Sequence, residues 1–121
     1  MKTFEELPIY QKSKELCLAL YRFDNAKYVK DYGFRDQLQR ASISVLNNIA
    51  EGFERGSDKD FIKFLYYSKG SVGEIRSLLN IAVELQYVSV ADYEKLNADC
   101  LDISKQLSNF IKYLSEKIKN N

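Results

Sequence analysis

The sequence predicts an all-α protein, an up-down-up-down antiparallel four-helix bundle forming one domain over residues 1–121. Three observations carry this expectation. Apolar residues recur three and four positions apart along four long stretches, the spacing of one helix face. Strand-like alternation is scarce, and one Pro and five Gly interrupt the chain, a composition that favours helices. The joints between the later stretches are short, and long helices on short joints pack as antiparallel neighbours.

The first helix is expected to begin near Pro8, because Leu7 before a proline avoids the helical region and proline suits the first helical position. Ile9, Ser13, Leu16, Leu20 and Phe23 fall on one stripe, flanked by Tyr10, Cys17 and Tyr21. Ala26 to Tyr32 reads as a connection, with Gly33 permitting a turn. Asp36 is the expected cap of the second helix, with Gln39 closing a capping box; a start one turn earlier is the alternative.

The second helix runs to about Gly52 or Phe53, with Leu38, Ala41, Val45, Ile49 and Gly52 on its inner stripe. Ile43, Leu46, Ala50 and Phe53 widen the apolar arc to roughly half the circumference, beyond the ~100° of a surface helix. That width points to a subunit interface; a helix buried deeply in its own bundle is the alternative. Ser57 caps the third helix, and Asp58 and Asp60 place negative charge in its first turn, where the helix dipole favours it.

This helix is expected from Asp58 to Gln86, ~43 Å at 1.5 Å per residue. Phe61, Leu65, Ser68, Val72, Ile75, Leu79, Ala82 and Val83 mark its inner face, and Phe64, Tyr67, Ser71, Leu78 and Leu85 widen it. Gly70 and Gly73 each cost about 1 kcal/mol relative to Ala in a helix, and close approach of another helix is the expected compensation. Ser89 caps the fourth helix, whose seam is Tyr93, Leu96, Cys100, Ile103, Leu107, Phe110 or Ile111, Leu114 and Ile118.

Composition narrows the function classes. The chain is 45% hydrophobic and 29% charged, which suits a folded domain. Formal net charge is +1, so a basic surface has to be local. No apolar run approaches the roughly 18 residues that span a bilayer, and no signal-like segment opens the chain, so the expected location is the cytoplasm, with no membrane partner. Cys17 and Cys100 read as buried free thiols.

There is no His, which removes the commonest acid–base residue and metal ligand. Di-iron bundles use Glu-x-x-His pairs, and no such pair is present. The stretch from Gly52 to Ser57 opens a helix but lacks the Gly-Lys-Ser/Thr ending of a phosphate loop. No metal, no cofactor and no enzymatic activity are expected.

Three constellations remain. Arg40, Arg55, Lys59 and Lys63 lie on or near the joint between the second and third helices and are the candidate nucleic-acid-binding residues. Pairing with Glu51, Glu54, Asp58 and Asp60 is the alternative. Arg40, Asn47, Asn48 and Glu51 read as a buried polar network that sets subunit geometry. Among nine Tyr and seven Phe, Phe61, Phe64, Tyr66 and Tyr67 cluster on the third helix, for packing or for base stacking beside basic residues.

Several motifs together resemble a known family. They are Gln37-Leu38-x-Arg40-Ala41-Ser42, Ser44-Val45-x-x-Asn48-Ile49-Ala50-Glu51-Gly52, Arg55, Lys59-Asp60-Phe61, Phe64-Leu65 and Gly70-Ser71-x-x-Glu74. The chain resembles the bacterial four-helix-bundle proteins named after the 23S ribosomal RNA intervening sequence. It is also similar to the accessory variability determinant of diversity-generating retroelements.

The resemblance spans about Phe4 to Ile118. It implies a ring-like homopentamer without known enzymatic activity. In the retroelement branch it implies binding of nucleic acid and of a reverse transcriptase through a basic surface. Leu46 stands where the family often has Pro, so a weaker kink is expected there, and Tyr28 to Asp31 replaces a Pro-containing approach to the second helix.

The functional expectation is a homo-oligomeric scaffold that binds RNA or DNA in a nucleoprotein assembly, with Ile43, Leu46, Ala50, Phe53, Phe64 and Tyr67 at the subunit interface. The alternative is a protein–protein adaptor without nucleic-acid contact.

Overall fold

The structure, a computed structural model, describes residues 2–120. A 3-10 turn, Phe4–Glu6, precedes five α-helices: α1 (Pro8–Tyr21), α2 (Ala26–Lys30), α3 (Tyr32–Glu54), α4 (Asp58–Glu84) and α5 (Val90–Lys119). No strand occurs among the described residues. α3 packs on α1 and α4, and α5 packs on α4 and α1, so the four longer helices meet around a closed circuit.

Most of each expected stripe is buried, while Phe23, Val83 and Tyr93 are half-buried. α1 contributes Ile9, Ser13, Leu16, Cys17 and Leu20 to the interior, and α3 contributes Leu38, Ala41, Ser42, Val45, Leu46, Ile49 and Gly52. α4 buries Phe61, Leu65, Ser68, Val72, Ile75, Leu78, Leu79 and Ala82. α5 buries Leu96, Cys100, Ile103, Leu107, Ile111 and Leu114, whereas Ile118 at the end of the expected seam is exposed. Both cysteines are free and buried, and burial pushes the Cys100 thiol up to about 12.

Two local expectations are corrected. The segment after α1 is not a plain connection. Asn25 accepts hydrogen bonds from the N–H groups of Lys27 and Tyr28, which nucleates the short helix α2. The cap of α3 is Asp31, whose carboxylate accepts from the Phe34 N–H at 3.2 Å. Asp36 lies within α3 and pairs with Arg40 one turn on, at 2.8 Å. The helix starts earlier because α2 ends directly against it and Asp31 serves as the break between the two.

α2 also ties the molecule together at this end. The buried Tyr28 hydroxyl donates to the Leu20 carbonyl at 3.2 Å. Asn25 donates to the Gln86 carbonyl, and Lys27 to the Gln86 side chain, both at 3.3 Å. Gln86 has φ 60°, which ends α4 two residues short of the expected boundary. The Tyr87 hydroxyl donates to Asp31 at 2.6 Å and holds that carboxyl below its ordinary range, helped by the Phe34 N–H.

The glycines divide into two kinds. A Cβ on Gly52 would stand 2.6 Å from Phe64 Cβ and 3.0 Å from Phe61 Cδ1, so α3 and α4 approach too closely there for any side chain. Gly70 and Gly73 show the reverse. Nothing lies within 4 Å of either Cβ position, so no helix of this chain supplies the expected close approach.

Two outcomes follow from these contacts. Gly52→Ala destabilises the chain by about 1–3 kcal/mol in chemical denaturation, because the base of Phe64 cannot swing aside. Gly70→Ala and Gly73→Ala each stabilise a single unassembled chain by up to about 1 kcal/mol, the helix-propensity gain in open space. A lowered Asp31 pKa contributes stability that is present above the ordinary value of 3.8 and lost as pH falls through the lower folded value. Tyr87→Phe removes the main cause, so its thermal midpoint falls less steeply than wild type on acidification below that range.

Candidate nucleic-acid interface

The α3–α4 joint is three residues, Arg55 to Ser57. Gly56 has φ +80°, a left-handed conformation that reverses the chain in a single step. Ser57 then caps α4, its hydroxyl accepting from the Asp60 N–H at 3.1 Å. With Gly52 pinned on Phe61 and Phe64 one turn earlier, the direction of both helices at the joint is set.

On the outer side of this joint, cations and aromatic rings interleave. The Arg55 guanidinium lies 4.9 Å from the Phe64 ring centroid and also pairs with Glu51 at 3.1 Å. Phe64 meets Tyr67 edge to face at 5.6 Å, and Lys63 Nζ stands 6.0 Å from the Tyr67 ring. Tyr66 and Tyr67 are 57% and 49% exposed. Among the described residues neither Lys59 nor Lys63 enters a salt bridge. Exposed rings beside free ammonium groups can stack on bases while the cations meet phosphates.

Arg55, Lys59 and Lys63 therefore share one neighbourhood. Arg40 does not: it sits fifteen residues before Arg55, about 22 Å along α3. It is 79% exposed, pairs with Asp36, and borders a separate depression of about 550 Å³ with Tyr21, Ile43, Ser44 and Asn47.

The expected buried network of Arg40, Asn47, Asn48 and Glu51 does not form within the chain. Arg40 and Glu51 are each taken by a neighbour one turn away on the surface, and Asn47 is exposed. Asn48 donates to the Ser44 carbonyl at 2.8 Å, and Ser44 bonds Ser71 across the α3–α4 contact at 2.9 Å. The buried polar contacts are made instead by hydroxyls. Ser42 donates to the Gln39 carbonyl at 2.7 Å, and Ser68 donates to the Val45 carbonyl at 2.8 Å.

The interface set divides in the same way. Leu46 is buried inside the chain, and Phe53 is half-buried, edge-on to Phe61 at 5.9 Å. Ala50 and Phe64 are half-buried, while Ile43 and Tyr67 are exposed. Sequence reasoning missed the contribution of α5. Lys117 reaches Asp58 at 3.4 Å, which brings Tyr113 and Lys117 to the same end as the joint. Their i, i+4 spacing was visible, but the contact partner lies 59 residues away.

Among the described residues no group of His, Cys, Asp and Glu is arranged to hold a metal ion, and no helix is long and apolar enough to cross a membrane.

An all-helical protein whose four longer helices pack around a closed circuit is the class these features define. The chain belongs to the family described as 23S rRNA-intervening sequence protein, which matches residues 5–109. It is similar to a protein of unknown function from the S23 ribosomal protein family of Bacteroides thetaiotaomicron, solved at 1.70 Å. The two share 27% identity and a TM-score of 0.78, over 86% of this chain and 98% of that one. No curated protein matches the chain.

Ser57→Ala removes the cap that aims α4 away from the joint, and lowers stability by about 1 kcal/mol in thermal or denaturant unfolding.

Proposed function

We propose that this protein is a non-enzymatic, homo-oligomeric scaffold, pentameric as the family resemblance implies, that binds nucleic acid in the cytoplasm. The α3–α4 joint is the contact surface in this reading, and a reverse transcriptase is the protein partner implied by the retroelement branch. The observation that carries the reading is Lys63, which enters no salt bridge among the described residues and stands 6.0 Å from the exposed Tyr67 ring, with Lys59, likewise outside any salt bridge, one turn earlier on α4. The family's name, taken from a ribosomal RNA insertion, supports a nucleic-acid context.

The chain path supports an up-down-up-down four-helix bundle. The Asp31–Tyr87 bond places the start of α3 beside the α4–α5 joint, and the Asp58–Lys117 pair places the end of α5 beside the α3–α4 joint. The open surfaces of Gly70 and Gly73 support assembly, since their helix-propensity cost has no compensation inside one chain. Exposed Ile43 and Tyr67 lie on the helices that would meet a second copy.

The reading as a protein–protein adaptor draws on the acid pairing of Arg40 and Arg55, which lowers the cationic charge available to phosphate. A specific partner captured from nuclease-treated lysate would favour it.

Titration of a fluorescent oligonucleotide across a salt series decides between the two. The scaffold reading expects binding that weakens with salt. Replacing Arg55, Lys59 and Lys63 together by Ala flattens the slope of log K against log salt by about 0.7–0.9 for each phosphate no longer neutralised. Absent or salt-insensitive binding overturns the nucleic-acid reading. Light scattering that gives the mass of one chain at micromolar concentration overturns the assembly.

A further inference from the structure

At the end of the bundle that carries the α3–α4 joint, a cleft of about 370 Å³ opens between that joint, the last turns of α5 and the start of α1. Its floor is the buried side chains of Leu7, Phe61 and Leu114. Phe110 stands edge-on to Phe61 at 5.1 Å, and Tyr113 continues the wall, tilted against Phe110 at 6.4 Å and 59% exposed. Asp58 and Lys117 also line the cleft, with Lys117 Nζ 3.4 Å from one oxygen of the Asp58 carboxylate. Both side chains are only partly exposed, at 50% for Lys117 and 34% for Asp58.

We propose that this cleft takes one unstacked guanine of a single-stranded nucleic acid. The proposal rests on the nucleic-acid reading above and adds the base and the residues that select it. Asp58 and Asp60, in the first turn of α4, oppose a phosphate here, while aromatic walls over an apolar floor accept a flat neutral ring. The polar lining then chooses among rings. A carboxylate beside an ammonium offers two acceptors and then a donor.

The Watson–Crick edge of guanine presents the complement: the amino group and N1–H donate to the two Asp58 oxygens, and O6 accepts from Lys117. Adenine and cytosine bring one amino donor next to an acceptor, which leaves a carboxylate oxygen unmet. Uracil and thymine bring a single N–H. Unpaired bases are read on this edge. Arg55 adjoins Gly56 and Lys59 adjoins Asp58 in sequence, so the cations that would hold the strand's phosphates are one residue from two residues that line the cleft.

Fluorescence anisotropy with short uridine-rich strands tests this, with one central position carrying guanine, hypoxanthine, adenine or no base. Each strand is used in its ribose and deoxyribose forms, which identifies the sugar accepted. Guanine is expected to strengthen binding about tenfold over adenine, the size of one well-formed bidentate contact, and about a hundredfold over the abasic site, which also lacks the stacking ring. Hypoxanthine, without the amino group, falls between. Asp58→Asn loses the guanine preference because an amide offers only one acceptor.

Tyr113→Ala weakens the guanine strand about tenfold and leaves the abasic strand unchanged, as loss of one stacking surface requires. Tyr113 is exposed, so this variant keeps its fold, which a melting curve verifies. Equal affinity for all four strands, or a guanine preference retained in both variants, overturns the proposal while the nucleic-acid reading stands. Failure of every strand to bind overturns both.

Discussion

The rest of the structure depends on the backbone contact at Gly52. One missing side chain lets α3 lie against the base of Phe64 and the ring of Phe61. Once the helices are that close, Ser68 reaches the Val45 carbonyl and Ser44 reaches Ser71, so the contact extends along both helices as hydrogen bonds. A short joint alone would leave the relative rotation of α3 and α4 open. The Gly52 contact closes it, and with it the direction in which each side chain near the joint points. Phe61 faces inward to Phe53 and Phe110, while Phe64 faces outward under Arg55. The exposed chemistry of the joint is a consequence of helix packing.

The two ends of the bundle are built differently. At the α4–α5 end, α2 closes the structure with hydrogen bonds to Gln86 and Leu20, and Tyr87 packs edge-on to Phe34 at 5.3 Å. Its main charge–hydrogen-bond contact, Asp31 with Tyr87, is satisfied within the chain. At the α3–α4 end the 3-10 turn packs on α3 and Lys117 pairs with Asp58, while cations, aromatic rings and a cleft are open to solvent. With a formal net charge of +1, charge at long range does little. Screening within about 8 Å at physiological salt leaves recognition to local groups. That favours a surface whose cations sit beside stacking rings over one that relies on total charge.

Helix faces were legible in the sequence because burying one side of a helix leaves a period of three and four residues. The stripes of α1, α3 and α4 were read nearly residue for residue, and so were the Ser57 and Ser89 caps. Asp36 and Asp31 were harder to separate. Both are acidic residues near a helix start, and the choice depends on α2, a five-residue helix too short to show a period. The polar set on α3, which forms no network within the chain, was hard to read for a related reason. Helical spacing says which residues share a face, but not whether a neighbour covers it. Arg40, Asn47 and Glu51 share a face that no other helix of this chain covers.

The sequence by itself determined the four long helices, the Ser57 and Ser89 caps, most of the inner stripes and the family, because each is written in residues close together along the chain. Only the tertiary structure decided which basic residues form one surface, and it separated Arg40 from Arg55, Lys59 and Lys63. It alone brought Lys117 to Asp58 and formed the cleft between them and the aromatic rings of α4 and α5. The physical reason is that backbone hydrogen bonding and side-chain periodicity act over a few residues. The meeting of helix ends is set by packing summed over whole helices, with one glycine fixing how closely two of them can lie.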